Sequence, residues 1–167
     1  MKIKFKKYQG LGNDFIIFDA RRTNLEDLFS LNKDNIIQRL CERNFGIGAD
    51  GIILILDSNK KCFVRMKIYN SDGSEAEMCG NGIRCLIAFL HDNNEVKGLL
   101  DIPIETKAGI ISTSFNGNEN IKVNMGNPIL NPELIPTNLL TDESGIPNGN
   151  IKLNDQYFTI YAVSMGN

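Results

Sequence analysis

A chain of 167 residues, 42% hydrophobic and 23% charged, has the make-up of one ordinary globular domain with enough apolar material for a real core. A net charge of −2 and an isoelectric point near 5.4 exclude the broad positive footprint of a nucleic-acid binder. No apolar run approaches the ~20 residues of a membrane span, and the N-terminus lacks a signal peptide's apolar stretch, so no membrane partner and a cytoplasmic location are expected.

Met1 to Tyr8 alternates lysines with Ile3 and Phe5, the pattern of a strand with one solvated face. Gly10 to Asp14 reads as a turn and Phe15 to Ala20 as a second strand. Lys33 to Arg43 carries the stripe Ile36, Ile37, Leu40 and Cys41, which predicts a helix with Cys41 packed in the core. The following Gly46-Ile-Gly48-Ala-Asp-Gly51 has the G-x-G-x-x-G spacing of a dinucleotide site. That chemistry needs a strand before the glycines and a helix after them. Here the order is reversed, so the glycines are expected to cap the helix and turn the chain into a buried strand, Gly51 to Leu56. Cys62 to Tyr69 alternates like another strand, opened by a structural Cys62, and Tyr69 to Ser74 reads as a turn.

Met78-Cys79-Gly80-Asn81-Gly82-Ile83-Arg84 then leads into Ile83 to Leu90, a run with almost no polar face. This places a thiol at the mouth of a helix. The first turn of a helix carries unpaired N–H donors and about half a positive charge, which stabilise a thiolate and suit a carboxylate. One short segment thus offers a reactive base and an anion cradle, while the plainer reading is a small buried cysteine before a turn. Cys85, six residues on, lies about 240° out of register and does not pair with Cys79. His91, near the helix end, is expected to cap carbonyls. Four cysteines without a C-x-x-C pair, and a single histidine, do not make a metal site.

Strands are expected at Ile102 to Thr106, Ile110 to Phe115 and Ile121 to Asn124, the last two joined by a hairpin loop beginning at Asn116-Gly117. Pro128 to Pro147 reads as a surface excursion, and Gln156 to Val163 returns to strand. Strands outnumber helices without alternating with them, which favours an α+β domain. A helix apolar nearly all round needs a cover on most sides. The solution is a curved, barrel-like mixed or antiparallel sheet wrapped around it, with Cys79 at the rim.

Taken together, Gly10-Leu-Gly-Asn-Asp-Phe15, Phe45-Gly-Ile-Gly-Ala-Asp-Gly51, Asn70-Ser-Asp-Gly73, Met78-Cys-Gly-Asn-Gly-Ile-Arg84 and Val163-Ser-Met-Gly-Asn167 resemble, in order and spacing, the motifs of the diaminopimelate epimerases. Proline racemases and phenazine-type isomerases share the architecture, but the racemases carry histidine where this chain has Asn81. The resemblance implies a two-lobe fold and a cofactor-free inversion of LL-diaminopimelate to the meso form, for lysine and cell-wall peptide. One cysteine removes the α-proton and a second returns one to the opposite face. By resemblance Cys79 is the proton acceptor, Gly80 and Asn81 hold the α-carboxylate, and Asn13, Asn70 and Asn167 bind substrate. No cofactor and no pyridoxal phosphate are implied. The implied partners are the small-molecule substrate, the enzyme's own second lobe and, as an open option, a second copy in a homodimer.

Two departures stand out. Some family members carry a substrate-binding glutamine where this chain has Gly51. The sequence also stops at Asn167, inside a motif that normally continues Pro-His, so residues 1–167 are expected to form the N-terminal lobe alone, ending in the inter-lobe region, without the second cysteine and inactive by itself. An apolar lobe face is expected to be left bare. The rival readings are another cofactor-free isomerase of this fold, a hydrolase using Cys79 as nucleophile, and a non-catalytic binding module.

Overall fold

The computed structural model describes residues 2–116 and 120–165, with the side chains of 31–34 set aside. These residues fall into two compact units, divided between Asn124 and Met125.

The first unit is built on one sheet. Strands β1 (Lys6–Gly10) and β2 (Asn13–Asp19) form an antiparallel hairpin. The turn predicted over five residues shrinks to two, Leu11 and Gly12, with φ of 56° and 84°. Two positive φ values give the turn a twist that matches the strands it joins. Gly10, Asn13 and Asp14 are strand residues instead, and Lys2 to Phe5 lie outside the strand expected of them. Helix α1 (Leu25–Cys41) begins eight residues before the predicted Lys33, because Leu25 and Phe29 extend the stripe of Ile37 and Cys41 by steps of four. Then follow β3 (Gly51–Leu56), β4 (Val64–Asn70), the short β5 (Glu75–Ala76), helix α2 (Gly80–Asp92), β6 (Ile102–Thr106), β7 (Gly109–Phe115) and β8 (Ile121–Val123). Cys62 does not open β4. It lies two residues before it, in a bend where its N–H donates to Lys60 O.

The strand order is β1-β2-β3-β4-β6-β7-β8, with β5 paired to β4. Only β2–β3 and β4–β6 are parallel, and each pair is joined through a helix, α1 and α2 respectively. Both crossovers step the same way across the sheet, but their strands run in opposite directions. Right-handed connections then place the two helices on opposite faces. Packing agrees. Ile16, Phe18, Ile52 and Leu54 cluster with Leu25, Phe29, Ile37 and Cys41 of α1, whereas Ile53 and Ile68 meet α2 at Gly82. Covered on both sides, β3 is buried at every residue, which is why it reads as an uninterrupted apolar run.

Helix α2 contacts β1 at one sheet edge, β8 at the other, and β2, β3 and β4 between them, so the sheet curls around it as an open half-barrel. Ile83, Leu86, Ile87 and Leu90 are fully buried, each stabilising the fold by about 1.5–3 kcal/mol. The helix is not covered all round, however. Asn81, Arg84, Ala88 and His91 form a half-exposed stripe, and a cavity of about 680 Å³ opens along it between Tyr8 and Ile121. His91 does not cap the helix as expected. Its ring lies 4.3 Å from that of Phe115, while Asn93 Nδ2 donates to Phe89 O at 2.9 Å. At the loop predicted after β7, Asn116 N–H donates to Asn120 O, while Gly117 lies outside the described residues.

The second unit holds a three-stranded antiparallel sheet, β9 (Leu140–Thr141), β10 (Pro147–Leu153) and β11 (Gln156–Tyr161), in the order β11-β10-β9. Asn154 and Asp155, at φ of 46° and 64°, turn the β10–β11 hairpin. Leu153, Tyr157, Phe158 and Tyr161 are exposed. The proline-rich stretch before it is largely exposed, with one short 3-10 turn at Pro132–Leu134. Among the described residues, no helix is long and apolar enough to cross a membrane.

Candidate active site

Three strand ends meet at one rim of the sheet. In register, Gly51 at the start of β3 pairs with Phe15 of β2 on one side and with Asn70, the last residue of β4, on the other. Asn13, Asp50 and Asn70 are therefore neighbours in the fold although 37 and 20 residues separate them in sequence. Helix α2 begins at the same rim. Cys79 is its N-cap, with extended backbone (φ −147°, ψ 115°), and Sγ accepts a hydrogen bond from Gly82 N at 3.3 Å. Ile83 N–H donates to Cys79 O at 2.9 Å. The remaining first-turn donors, Gly80 N–H and Asn81 N–H, have no protein acceptor among the described residues, and both residues are half-buried. The sulfur and two open N–H donors thus share one helix end, the arrangement the sequence predicts.

Cys79 is half-buried, so its thiol is reachable, whereas Cys41 and Cys85 are buried. Burial pushes both of those thiols up to about 11, with the nearness of Cys79 contributing for Cys85. Neither of those two is a base at neutral pH. Glu75 at the same end of the sheet faces Lys67 at 3.8 Å.

The Cys79 thiol lies 4.0 Å from Asn13 Oδ1. Asn13 Nδ2 in turn donates to Asp50 Oδ2 at 2.8 Å. Asp50 was not anticipated from sequence as part of a site: it stands inside the glycine motif Gly46 to Gly51, where the glycines alone carried the reading. The structure confirms the reading of that motif as a helix terminus. Gly46 N–H donates to Glu42 O, Ile47 and Gly48 N–H to Leu40 O, and Ala49 N–H to Cys41 O, so the turn folds back over the last carbonyls of α1. It then delivers Asp50 to the rim. At Gly51 a Cβ would overlap the Tyr69 carbonyl oxygen, so the backbone here leaves no room for a glutamine side chain.

Behind Asn13 lies a charged cluster. Asp14 and Asp50 hold each other through backbone N–H groups, Asp14 N to Asp50 Oδ2 at 3.0 Å and Asp50 N to Asp14 Oδ1 at 3.1 Å. Arg43 reaches Asp14 at 2.8 Å and Asp50 at 2.7 Å, and Lys7 reaches Asp14 at 2.9 Å. The Arg43 guanidinium, against the opposing effect of burial and with help from Lys7, holds the Asp14 carboxyl well below the usual carboxylate range. A depressed folded value means that Asp14 stabilises the fold above about pH 4, and that this is lost as pH falls through the folded value. Asp14→Asn is therefore expected to reduce the drop in urea midpoint between pH 7 and pH 3. An unchanged drop would show that the cluster does not stabilise the native state.

Asn70 is exposed and sits on the same rim, with Nδ2 donating to Ser74 Oγ at 2.9 Å across the turn that joins β4 to β5. Asn167 lies outside the described residues. No group of three His, Cys, Asp or Glu side chains among the described residues could hold a metal ion.

The chain matches the family model described as Diaminopimelate epimerase over residues 5–131. A diaminopimelate epimerase from Prochlorococcus marinus is 73% identical over 167 residues, which cover all of this chain and 59% of that protein. Another from a different strain of the same species is 46% identical over 169 residues, covering 99% of this chain and 54% of that protein. Among solved structures, a probable proline racemase from Agrobacterium radiobacter shares the fold, with a TM-score of 0.57 at 14% identity over 97% of this chain and 49% of that one. The chain thus spans somewhat more than half the length of the curated relatives it matches. With the family model matching most of its length and the motif cysteine standing at the helix mouth, the chain belongs to the diaminopimelate epimerase family.

Proposed function

We propose that these residues are the N-terminal, Cys79-bearing lobe of an enzyme that epimerises LL-diaminopimelate to the meso form without a cofactor. The supporting observation is the seat of Cys79 Sγ as the cap of α2, accepting from Gly82 N–H while Gly80 and Asn81 N–H stay open for a carboxylate. In this reading the Cys79 thiolate takes the α-proton and the electron pair left on carbon delocalises into the α-carboxylate. The helix N–H groups stabilise that developing charge, the kind of preorganised electrostatic help that a very weak carbon acid needs. Asn13, Asn70 and Asn167 contact the rest of the substrate. A second cysteine, in the remainder of the protein, returns a proton to the opposite face. The 167-residue chain alone is then inactive, and the products serve lysine and peptidoglycan synthesis in the cytoplasm. A homodimer is compatible with this reading.

The test is isotopic. The two-lobe enzyme in deuterated water should exchange the α-hydrogen of LL-diaminopimelate and form the meso isomer, followed by proton NMR, while the 167-residue chain does neither. Absence of exchange in the two-lobe enzyme, or a burst of acyl-enzyme with activated esters, would sink the reading and favour a thiol-nucleophile hydrolase.

A further inference from the structure

We propose that Asp50 is a positioning residue that orients the Asn13 amide so that only its oxygen faces the Cys79 sulfur, making Asn13 a receptor for an ammonium group and not for a carboxylate. The role rests on the reading of Cys79 as the reactive thiol of the site.

A side-chain amide has a donor end and an acceptor end, and what lies behind it decides which one faces the site. Behind Asn13 stands the Asp50 carboxylate. Its Oδ1 is paired with Arg43 at 2.7 Å, and its Oδ2 already accepts from Asp14 N–H at 3.0 Å. A carboxylate held this way only accepts hydrogen bonds. The end of Asn13 that lies 2.8 Å from Oδ2 is therefore the NH2 group, and the carbonyl oxygen is left pointing at Cys79, 4.0 Å from Sγ.

This orientation has a chemical consequence. Around the sulfur, one wall offers donors only (Gly80 and Asn81 N–H) and the other presents an acceptor (Asn13 Oδ1). A zwitterionic amino acid carries one group for each wall. Its carboxylate belongs at the helix end and its ammonium at Asn13. With Asp50 removed, the amide is free to rotate and to turn Nδ2 toward the sulfur, and the two walls become alike. Asp50 thus fixes which way round an amino acid sits without touching the substrate itself.

The test needs no diaminopimelate. Cys79 is modified with either of two reagents sharing one leaving group, the cationic aminoethyl methanethiosulfonate and the neutral methyl methanethiosulfonate. In both cases the thiolate attacks the reagent's sulfenyl sulfur, a mixed disulfide forms and methanesulfinate departs. Mass spectrometry of the Cys79 peptide separates this site from Cys41, Cys62 and Cys85. The quantity read is the cationic-over-neutral rate ratio.

Asp50→Ala and Asn13→Ala are expected to lower that ratio about fivefold, the worth of one ordinary hydrogen bond, and the double variant no further. Asp50→Asn keeps an acceptor oxygen toward Asn13 and should retain the wild-type ratio although it has lost the charge. The proposal is overturned by an unchanged ratio in Asp50→Ala, by Asp50→Asn falling as far as alanine, or by additive losses in the double variant. Should Asp50→Ala fail to fold by circular dichroism, Asp50→Leu, which keeps the space filled but removes both acceptor oxygens, takes its place and must lower the ratio as far as Asn13→Ala does. Failure here leaves the isotope-exchange result untouched, and failure of that exchange leaves this ratio untouched.

Discussion

Cys79→Ser, placed in the two-lobe enzyme, is expected to lower α-hydrogen exchange by about 10²–10⁴-fold, the usual contribution of a positioned proton-transfer group, while leaving the fold intact. Serine separates the two roles of the sulfur. It is one of the best helix N-caps, so its hydroxyl can accept the Gly82 N–H bond that Sγ accepts at 3.3 Å. Thermal stability should therefore stay within about 1 kcal/mol of the parent. A hydroxyl is far too weak an acid to supply a base at neutral pH, so the chemistry should fail although the helix end survives. Retention of exchange by the serine variant would remove Cys79 from the mechanism. A large fall in melting temperature would instead show that the cap, and not the chemistry, had been lost.

The second large effect is on folding. Gly46→Ala is expected to destabilise the first unit by about 3 kcal/mol, at the upper end of what overpacking costs. A Cβ at this position would collide with the carbonyl oxygen of Arg39 and lie 2.7 Å from that of Glu42 and 2.8 Å from that of Leu40. These obstacles are backbone atoms at the end of α1, which cannot swing aside as a side-chain tip would. Gly98→Ala is the natural control. Its φ of 82° strains any L-residue, yet nothing lies within 4 Å of its added Cβ, so it should cost only about 1–2 kcal/mol. Denaturant unfolding of both variants checks the order. A Gly46→Ala variant no worse than Gly98→Ala would mean that the turn yields easily and does not hold Asp50 rigidly.

What the sequence made legible follows physical lines. β3, β6 and the apolar core of α2 were readable because each carries its apolar pattern, continuous in β3, within a short window, and the helix cap at Gly46 was readable because a strand follows it. The start of α1 was missed because polar residues interrupt its stripe between Phe29 and Ile36, and only packing against Ile16 and Phe18 reveals that the turns belong together. β10 was missed because Asn148-Gly149-Asn150 has the composition of a turn, although here it pairs with β11. His91 was assigned a cap that Asn93 supplies, since local charge at a helix end cannot say which of two nearby side chains reaches back. In the site, Cys79, Gly80 and Asn81 were visible as a local pattern. Asp50 was not, because its importance arises from a neighbour 37 residues away that no short window contains.

The same separation has a bearing on how the protein is made. Asn13 and Asp50 come together only when the β2-α1-β3 crossover has closed, and Cys79, 66 residues beyond Asn13, joins them last of all. A nascent chain leaving the ribosome therefore holds the sulfur without a helix behind it or an amide beside it. The grouping of thiol, open helix donors and amide comes into being only once the ribbon has met itself.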